Sequence, residues 1–185
     1  PTDKQKRDNE VKRSNGVSGH LDFQKIIESY VDPLTHNLRP IPIEIDSESA
    51  IGNRVGFERM KSFIQDLISQ HSTTKDENGN VVRDNTSKFY TEEVIYDEKK
   101  DRAGTIDFLM VDKDGKASIY DWKFLSISKG ENDIPWYKQD AATTQIREYR
   151  RILKDSYGLK SCGETRAIPI VMEYYSDYKS APVLR

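Results

Sequence analysis

Two stretches in the first half of the chain repeat their hydrophobic residues at the spacing of an α-helix. The first ends at Asp32-Pro33, because a proline disfavours helical backbone in the residue before it. The second follows a helix cap at Ser47 or Ser49 and ends near His71. Their apolar positions are, in turn, Leu21, Phe23, Ile26, Ile27 and Tyr30, and then Phe57, Met60, Phe63, Ile64, Leu67 and Ile68. We therefore predict two amphipathic helices.

The pattern becomes that of β-strands from residue 88 onward. Asp114-Gly115 between two apolar runs is a strong signal for a hairpin turn. The order of elements predicts an α/β fold whose central mixed sheet is flanked by helices. The predicted elements are strands over 88–96, 104–112 and 117–124, a helix over 134–157 and a strand over 166–174.

The distribution of polar residues divides the chain into three segments. Residues 1–19 hold little apolar content and contain Ser14-Asn15-Gly16, so we expect a flexible N-terminal segment there. We expect residues 20–53 to form an N-terminal helix and an extended segment, and residues 54–185 to form the core. Hydrophobic residues make up 35% of the 185, fewer than the roughly 45–50% of a typical soluble domain. The core must therefore be concentrated in part of the chain.

Composition excludes several classes of protein. No apolar run approaches the roughly 20 residues of a membrane helix, and the N-terminal residues do not form a signal peptide. A single cysteine, Cys162, excludes a disulfide scaffold. We expect an intracellular protein, cytoplasmic or a phage or viral protein acting in the host cytoplasm, with no membrane partner. The net charge of −2 gives no overall footprint for nucleic acid, so any such footprint is local.

Three residues on two neighbouring strands carry the candidate chemistry. Side chains alternate along a strand, so Asp121 and Lys123 share one face. Asp107 lies on the partner strand, and pairing through the Asp-Gly turn brings it near Asp121. Two adjacent carboxylates favour a divalent cation, and oxygen ligands suit Mg²⁺ or Mn²⁺. A lysine beside them orients water or stabilises charge on a phosphate, so the pattern favours phosphodiester hydrolysis.

The predicted helix over 134–157 adds a second signal. Gln145 and Tyr149 are four residues apart and so share a face of that helix. Over 145–160 five positive residues outnumber two negative ones, which is a local footprint for phosphate. We expect the arginines of this helix to contact nucleic acid: Arg147, Arg150 and Arg151.

In order, the segments Gly104-Thr-Ile-Asp107, Asp121-Trp-Lys123 and Gln145-x-x-x-Tyr149 resemble the PD-(D/E)XK nuclease superfamily. The similarity covers about residues 54–175 and is greatest to the branch of RecB-type exonuclease domains. It implies a restriction-endonuclease-like αβββαβ core, Mg²⁺ or Mn²⁺ as cofactor and DNA as substrate. It also implies roles for individual residues: Asp107, Asp121 and the backbone carbonyl of Trp122 as metal ligands, Lys123 as the group that positions the attacking water, and Gln145, Tyr149 and Gln139 as residues that brace the site or contact DNA.

The first core helix is where the resemblance leaves alternatives open. Members of this branch usually carry a histidine there, and relatives carry a glutamate. Glu58 is the best match by position and is our candidate for a further catalytic and metal-binding residue. His20, four residues after Gly16, is the alternative.

Three hypotheses follow from these residues. The first is an active metal-dependent deoxyribonuclease, exonuclease-like, with a helicase or another domain of a larger protein or complex as a partner. The second is a non-catalytic module of the same fold that binds nucleic acid or docks within a larger protein. The third is an α/β protein with an incidental pair of carboxylates.

Overall fold

The computed structural model describes residues 1–46, 54–128, 130, 137–174 and 183–184. Within these ranges the chain forms three helices and seven strands. The helices are α1 (Asp3–Tyr30), α2 (Arg54–His71) and α3 (Tyr137–Tyr157). The strands are β1 (Thr73–Lys75), β2 (Val81–Arg83), β3 (Lys88–Asp97), β4 (Arg102–Val111), β5 (Lys116–Ser128), β6 (Ser161–Tyr174) and β7 (Val183–Leu184).

A five-stranded mixed sheet with the order β3-β4-β5-β6-β7 forms the centre of the fold. Strands β3, β4 and β5 are antiparallel neighbours, β6 is parallel to β5, and the two-residue β7 is antiparallel to β6. Helix α3 connects the parallel pair β5 and β6, which need a crossover of this kind. Strands β1 and β2 form a separate hairpin. The prediction of an α/β fold with a mixed sheet flanked by helices is confirmed.

The sheet is covered on both faces. On one face α1 and α2 pack Phe23, Ile26 and Ile64 against a group that includes Trp122 and Met172. On the other face α3 contributes a second cluster with the sheet: Tyr149, Ile152 and Leu153 with Ile95, Ile106, Leu109, Ala117 and Ile119. Alternation of side chains along β5 explains this division, because its odd- and even-numbered residues face opposite helices.

Helix α1 is longer than the sequence predicts. Residues 3–19, expected to be a flexible segment, instead form the first half of one 28-residue helix. A capping box between Thr2 and Gln5 supplies partners for the first backbone donors. Farther along, Asn15 is buried and donates a hydrogen bond to Ser126 of β5 at 3.2 Å. Tertiary contact therefore overrides the weak helical signal of this polar stretch.

Most other predicted elements lie close to their expected bounds, but β6 begins at Ser161, five residues before the predicted start. Strand β5 continues beyond the predicted end at Phe124, because its pairing with β6 runs on to Ser128. The predicted caps Ser47 and Ser49, and residues 134–136 of the predicted third helix, lie outside the described residues. None of the helices in the described ranges has the length and apolar character that crossing a bilayer requires.

Candidate metal centre

The candidate site lies where β4 and β5 separate. Their pairing ends at Phe108 and Tyr120, so Asp107 and Asp121 are the next residues in register. Asp107 Oδ2 accepts a hydrogen bond of 2.7 Å from the backbone N–H of Trp122. Both carboxyl residues are buried, with 6% and 4% of their surface exposed. The structure thus brings Asp107 and Asp121 together at the end of a hairpin, as the turn between them predicted.

The surroundings of Asp121 favour its protonated form. Burial raises the pKa of Asp121 to about 7, and the hydrogen bond and negative charge of Asp107 act in the same direction. The ammonium of Lys123 lies 3.0 Å from Asp121 Oδ2 and opposes this rise. Together with Glu92 the pair makes three carboxylates against two cations, Lys123 and a protonated His20, so the fully ionised cluster carries one excess negative charge. That excess is what a divalent cation would neutralise.

Lys123 is held in place by α3. Its ammonium donates to Gln145 Oε1 at 3.3 Å, and Gln145 Nε2 donates to the Tyr149 hydroxyl at 2.7 Å. Burial raises the pKa of Tyr149 to about 12, and the charges of Asp121 and Asp107 contribute. Gln145 and Tyr149 therefore brace Lys123, which is one of the two roles the resemblance implies for them.

Gly104 makes room for this brace. A Cβ atom on Gly104 would lie 2.7 Å from Tyr149 Cε1, closer than carbon atoms approach without strain. A glycine in a strand often marks such a close approach. The Gly-x-x-Asp spacing thus has a physical reason, because Gly104 admits the ring of Tyr149 while Asp107 forms the site.

His20 reaches the site from α1. Its Nδ1 lies 3.3 Å from Asp107 Oδ1 and 3.6 Å from Glu92 Oε1. Burial by itself lowers the pKa of His20, but the hydrogen bonds and charges of Asp107 and Glu92 together raise it to about 9. The ring also packs edge-on against Phe124, with centroids 5.3 Å apart. Of the two candidates on the first helices, the structure brings His20 to the carboxylates.

Glu58 lies elsewhere. It is exposed on α2 between Phe57 and Met60, which face the core. It lines a different cavity, together with Tyr30 and residues of the segment before α2. The expectation that Glu58 completes the metal site therefore does not fit the fold, since the helix that carries it turns it to solvent.

Glu92 is a member of the site that the sequence did not indicate. It lies in β3, opposite Asp107, with a left-handed backbone at a φ of 49°. Such a φ is uncommon for a residue other than glycine and is often found at functional sites. Next to it, the Thr91 hydroxyl donates to the Asp107 carbonyl oxygen at 3.1 Å. A charged residue in an edge strand has no sequence signal that separates it from a solvated one.

The arginines of α3 do not converge on the site. Arg151 donates hydrogen bonds to the buried Asp97 and to Glu148. Burial by itself would raise the pKa of Asp97, but hydrogen bonds from Arg151 and from backbone N–H groups lower it below its usual range. Arg151 thus forms ion pairs within the fold, and its contact with nucleic acid stays a prediction.

Arg147 and Arg150 are exposed but face away from the carboxylates. At 100° per residue they lie about 200° and 140° around the helix axis from Gln145. Their position gives them no contact with the carboxylate cluster. The backbone of Gln139 is in α3, but its side chain lies outside the described residues.

The donor set fits a divalent metal ion. Ligand atoms of His20, Glu92 and Asp107 lie within 4.8 Å of one another, and Asp121 is in contact with Asp107. Glu92 Oε1 is buried and lies 3.6 Å from His20 Nδ1, beyond hydrogen-bond distance, so it can accept a further cationic partner. Three carboxylates and one imidazole are ligands that a divalent ion accepts.

Comparisons with protein-family models, curated proteins and solved structures found no match for this chain.

Proposed function

We propose that the chain is a Mg²⁺- or Mn²⁺-dependent deoxyribonuclease that hydrolyses phosphodiester bonds of DNA in an exonuclease-like manner. The observation that carries the proposal is the convergence of Asp107, Asp121 and Lys123 with His20 at the point where β4 and β5 separate. The order α2-β3-β4-β5-α3-β6 supports a restriction-endonuclease-like core, since it reproduces the αβββαβ order that the resemblance implies.

The chain's own residues would hold the cation in a defined way. Asp107 and Asp121 supply buried carboxylates and Glu92 supplies an oxygen from the third strand, while His20 would supply Nδ1 after metal binding displaces its proton. Trp122 has its backbone N–H committed to Asp107, while its carbonyl is the ligand that the resemblance implies. When bound, a divalent ion supplies charge neutralisation on the phosphate and a lowered pKa for coordinated water.

Lys123 is the group that acts on the water. An ammonium has three donors; among the described residues that of Lys123 donates to Gln145 and forms an ion pair with Asp121. In the proposal a remaining N–H of this ammonium orients the attacking water or stabilises charge on the phosphate. In hydrolysis the water oxygen bonds to phosphorus as the bond from phosphorus to the leaving sugar oxygen breaks. The water loses a proton and the leaving oxygen gains one.

The other two hypotheses lose their motivation in this geometry. An incomplete set of metal ligands would favour the non-catalytic module, whereas His20 Nδ1 lies 3.3 Å from Asp107 Oδ1 and supports the catalytic one. An incidental pair of carboxylates would be favoured by side chains that point apart, whereas Asp107 and Asp121 are in contact.

The experiment that tests the proposal is a cleavage assay with linear and closed circular DNA in Mg²⁺ or Mn²⁺. We expect degradation of the linear substrate, protection of the circle, and loss of cleavage in Asp121→Ala and Lys123→Ala. Asp66→Ala and Lys113→Ala, which remove the same groups from exposed positions of α2 and of the β4–β5 turn, should cleave as the wild type does. Absence of cleavage by folded wild-type protein in either metal would refute the proposal.

A further inference from the structure

A second candidate site adjoins Lys123 on the side of α3. A cavity of about 630 Å³ lies between α3 and the start of β4, and we call it the α3 cavity. Lys123 and Gln145 form its boundary with the metal centre, and Ala103, Gly104 and Ile152 give it apolar surface. Its volume is within the roughly 300–1,000 Å³ of small-molecule sites.

The charge of the α3 cavity favours an anion. Among its lining residues Lys100, Arg102 and Lys123 are cationic, and Glu148 is the acidic one. Lys100 and Arg102 each donate to Glu148 Oε1 at 3.0 Å, yet their side chains remain 51% and 58% exposed. The two cations are therefore positioned at the rim and are accessible to a ligand.

Glu148 can release these two cations without being left unpaired. Arg151 donates to the same carboxylate at 2.7 Å. These three cations hold the pKa of Glu148 well below its usual range, with Arg151 contributing most. An incoming phosphate would thus replace the Glu148 carboxylate as the partner of Lys100 and Arg102, while Glu148 stays hydrogen-bonded to Arg151.

We propose that the α3 cavity binds one nucleotide unit of the DNA strand next to the cleaved bond, with its phosphate at Lys100 and Arg102. This inference rests on the proposed function, since it takes Lys123 as the residue at the cleaved phosphodiester. The apolar wall, which includes the ring of Tyr149, offers contact for a sugar or base. The cationic rim replaces the arginines of α3 as the phosphate contact.

The test measures the binding of a fluorescein-labelled single strand of ten nucleotides by fluorescence anisotropy. EDTA in the buffer removes divalent metal ions and so prevents cleavage. The variant is Lys100→Ala with Arg102→Ala, and the matched control is Lys99→Ala. Lys99 lies in the same turn but pairs with Asp155 and does not line the cavity. Circular dichroism and thermal melting establish that each variant is folded, and Lys100→Gln with Arg102→Gln repeats the test if the alanine variant is unstable.

We expect the double variant to bind at least about tenfold more weakly at about 0.1 M salt. The slope of log affinity against log salt should fall by about 1.4, at about 0.7 for each of two lost phosphate contacts. Lys99→Ala should match the wild type. Comparing strands that end in a 5′-phosphate, a 3′-phosphate or hydroxyl groups shows which phosphate of the strand Lys100 and Arg102 contact. If it is terminal, the substitutions abolish the preference for one end; if it is internal, all strands lose affinity equally.

Two results would overturn the inference and leave the proposed function standing. One is that the double variant binds the strand with wild-type affinity although the wild-type protein cleaves DNA. The other is equal weakening in Lys99→Ala, which would indicate a general effect of surface charge. A wild-type protein that neither binds nor cleaves DNA would overturn both proposals together.

Discussion

Gly19 and Gly16 allow the packing of α1 to be tested by the same substitution at two positions. A Cβ on Gly19 would lie 2.2 Å from Phe124 Cε1 of β5, whereas a Cβ on Gly16 would meet nothing within 4 Å. Both glycines are helical, so alanine adds about 1 kcal/mol of helix propensity at either position. Only Gly19→Ala also crowds a packed contact, at a cost of about 1–3 kcal/mol.

The free energy of unfolding of Gly19→Ala should therefore be about 1–3 kcal/mol lower than that of Gly16→Ala. Urea unfolding followed by far-ultraviolet circular dichroism measures both values. Because the displaced Phe124 ring packs against His20, Gly19→Ala should also bind Mn²⁺ more weakly, while Gly16→Ala should bind it as the wild type does. If both variants are stabilised equally, α1 and β5 do not approach as closely as described, and their packing does not position His20.

Three further predictions concern the site itself. Glu92→Gln should lower Mn²⁺ affinity about tenfold or more with little change in melting temperature; unchanged affinity by calorimetry would remove Glu92 from the site. Gly104→Ala should displace Tyr149 and lower kcat while Mn²⁺ affinity is kept; an unchanged kcat would argue against the brace on Lys123. In EDTA the folded Asp121 carboxyl, with its pKa raised to about 7, holds a proton that the unfolded chain releases near pH 4. The free energy of unfolding of the wild type should therefore fall by about 2–4 kcal/mol more than that of Asp121→Asn between pH 4 and pH 7.5. Parallel profiles of unfolding free energy against pH would contradict this.

The core of the site was predictable from the sequence because its signals are local. The Asp114-Gly115 turn sets the register of β4 and β5, and that register alone places Asp107 beside Asp121. Alternation along β5 then places Lys123 on the same face as Asp121. The helical spacing of Gln145 and Tyr149 likewise predicted that they act as a pair.

The residues that the sequence did not predict depend on contacts between distant segments. Residues 3–19 lack a hydrophobic pattern, and their helix is held by contacts such as Asn15 with Ser126. The left-handed backbone of Glu92 has no signature in a residue other than glycine. Arg151 appears as one more surface cation in a basic helix, and only the fold shows that it pairs with Asp97, 54 residues away.

The choice between His20 and Glu58 shows the same limit. Both lie on predicted helices, and helical periodicity indicates which residues share a face but not which partner that face meets. Only the packing of α1 across β5 brings His20 to Asp107. The resemblance predicted a histidine or a glutamate, and in the fold His20 rather than Glu58 lies beside the carboxylates.

The central claim is that Asp107, Asp121 and His20 form one divalent-metal centre. The most direct test is the anomalous difference density of Mn²⁺ in a crystal of the protein. We predict a peak in contact with the carboxylates of Asp107 and Asp121 and with His20 Nδ1. A peak at Glu58 without His20, or no peak at Asp107 and Asp121 in crystals saturated with Mn²⁺, would contradict the account.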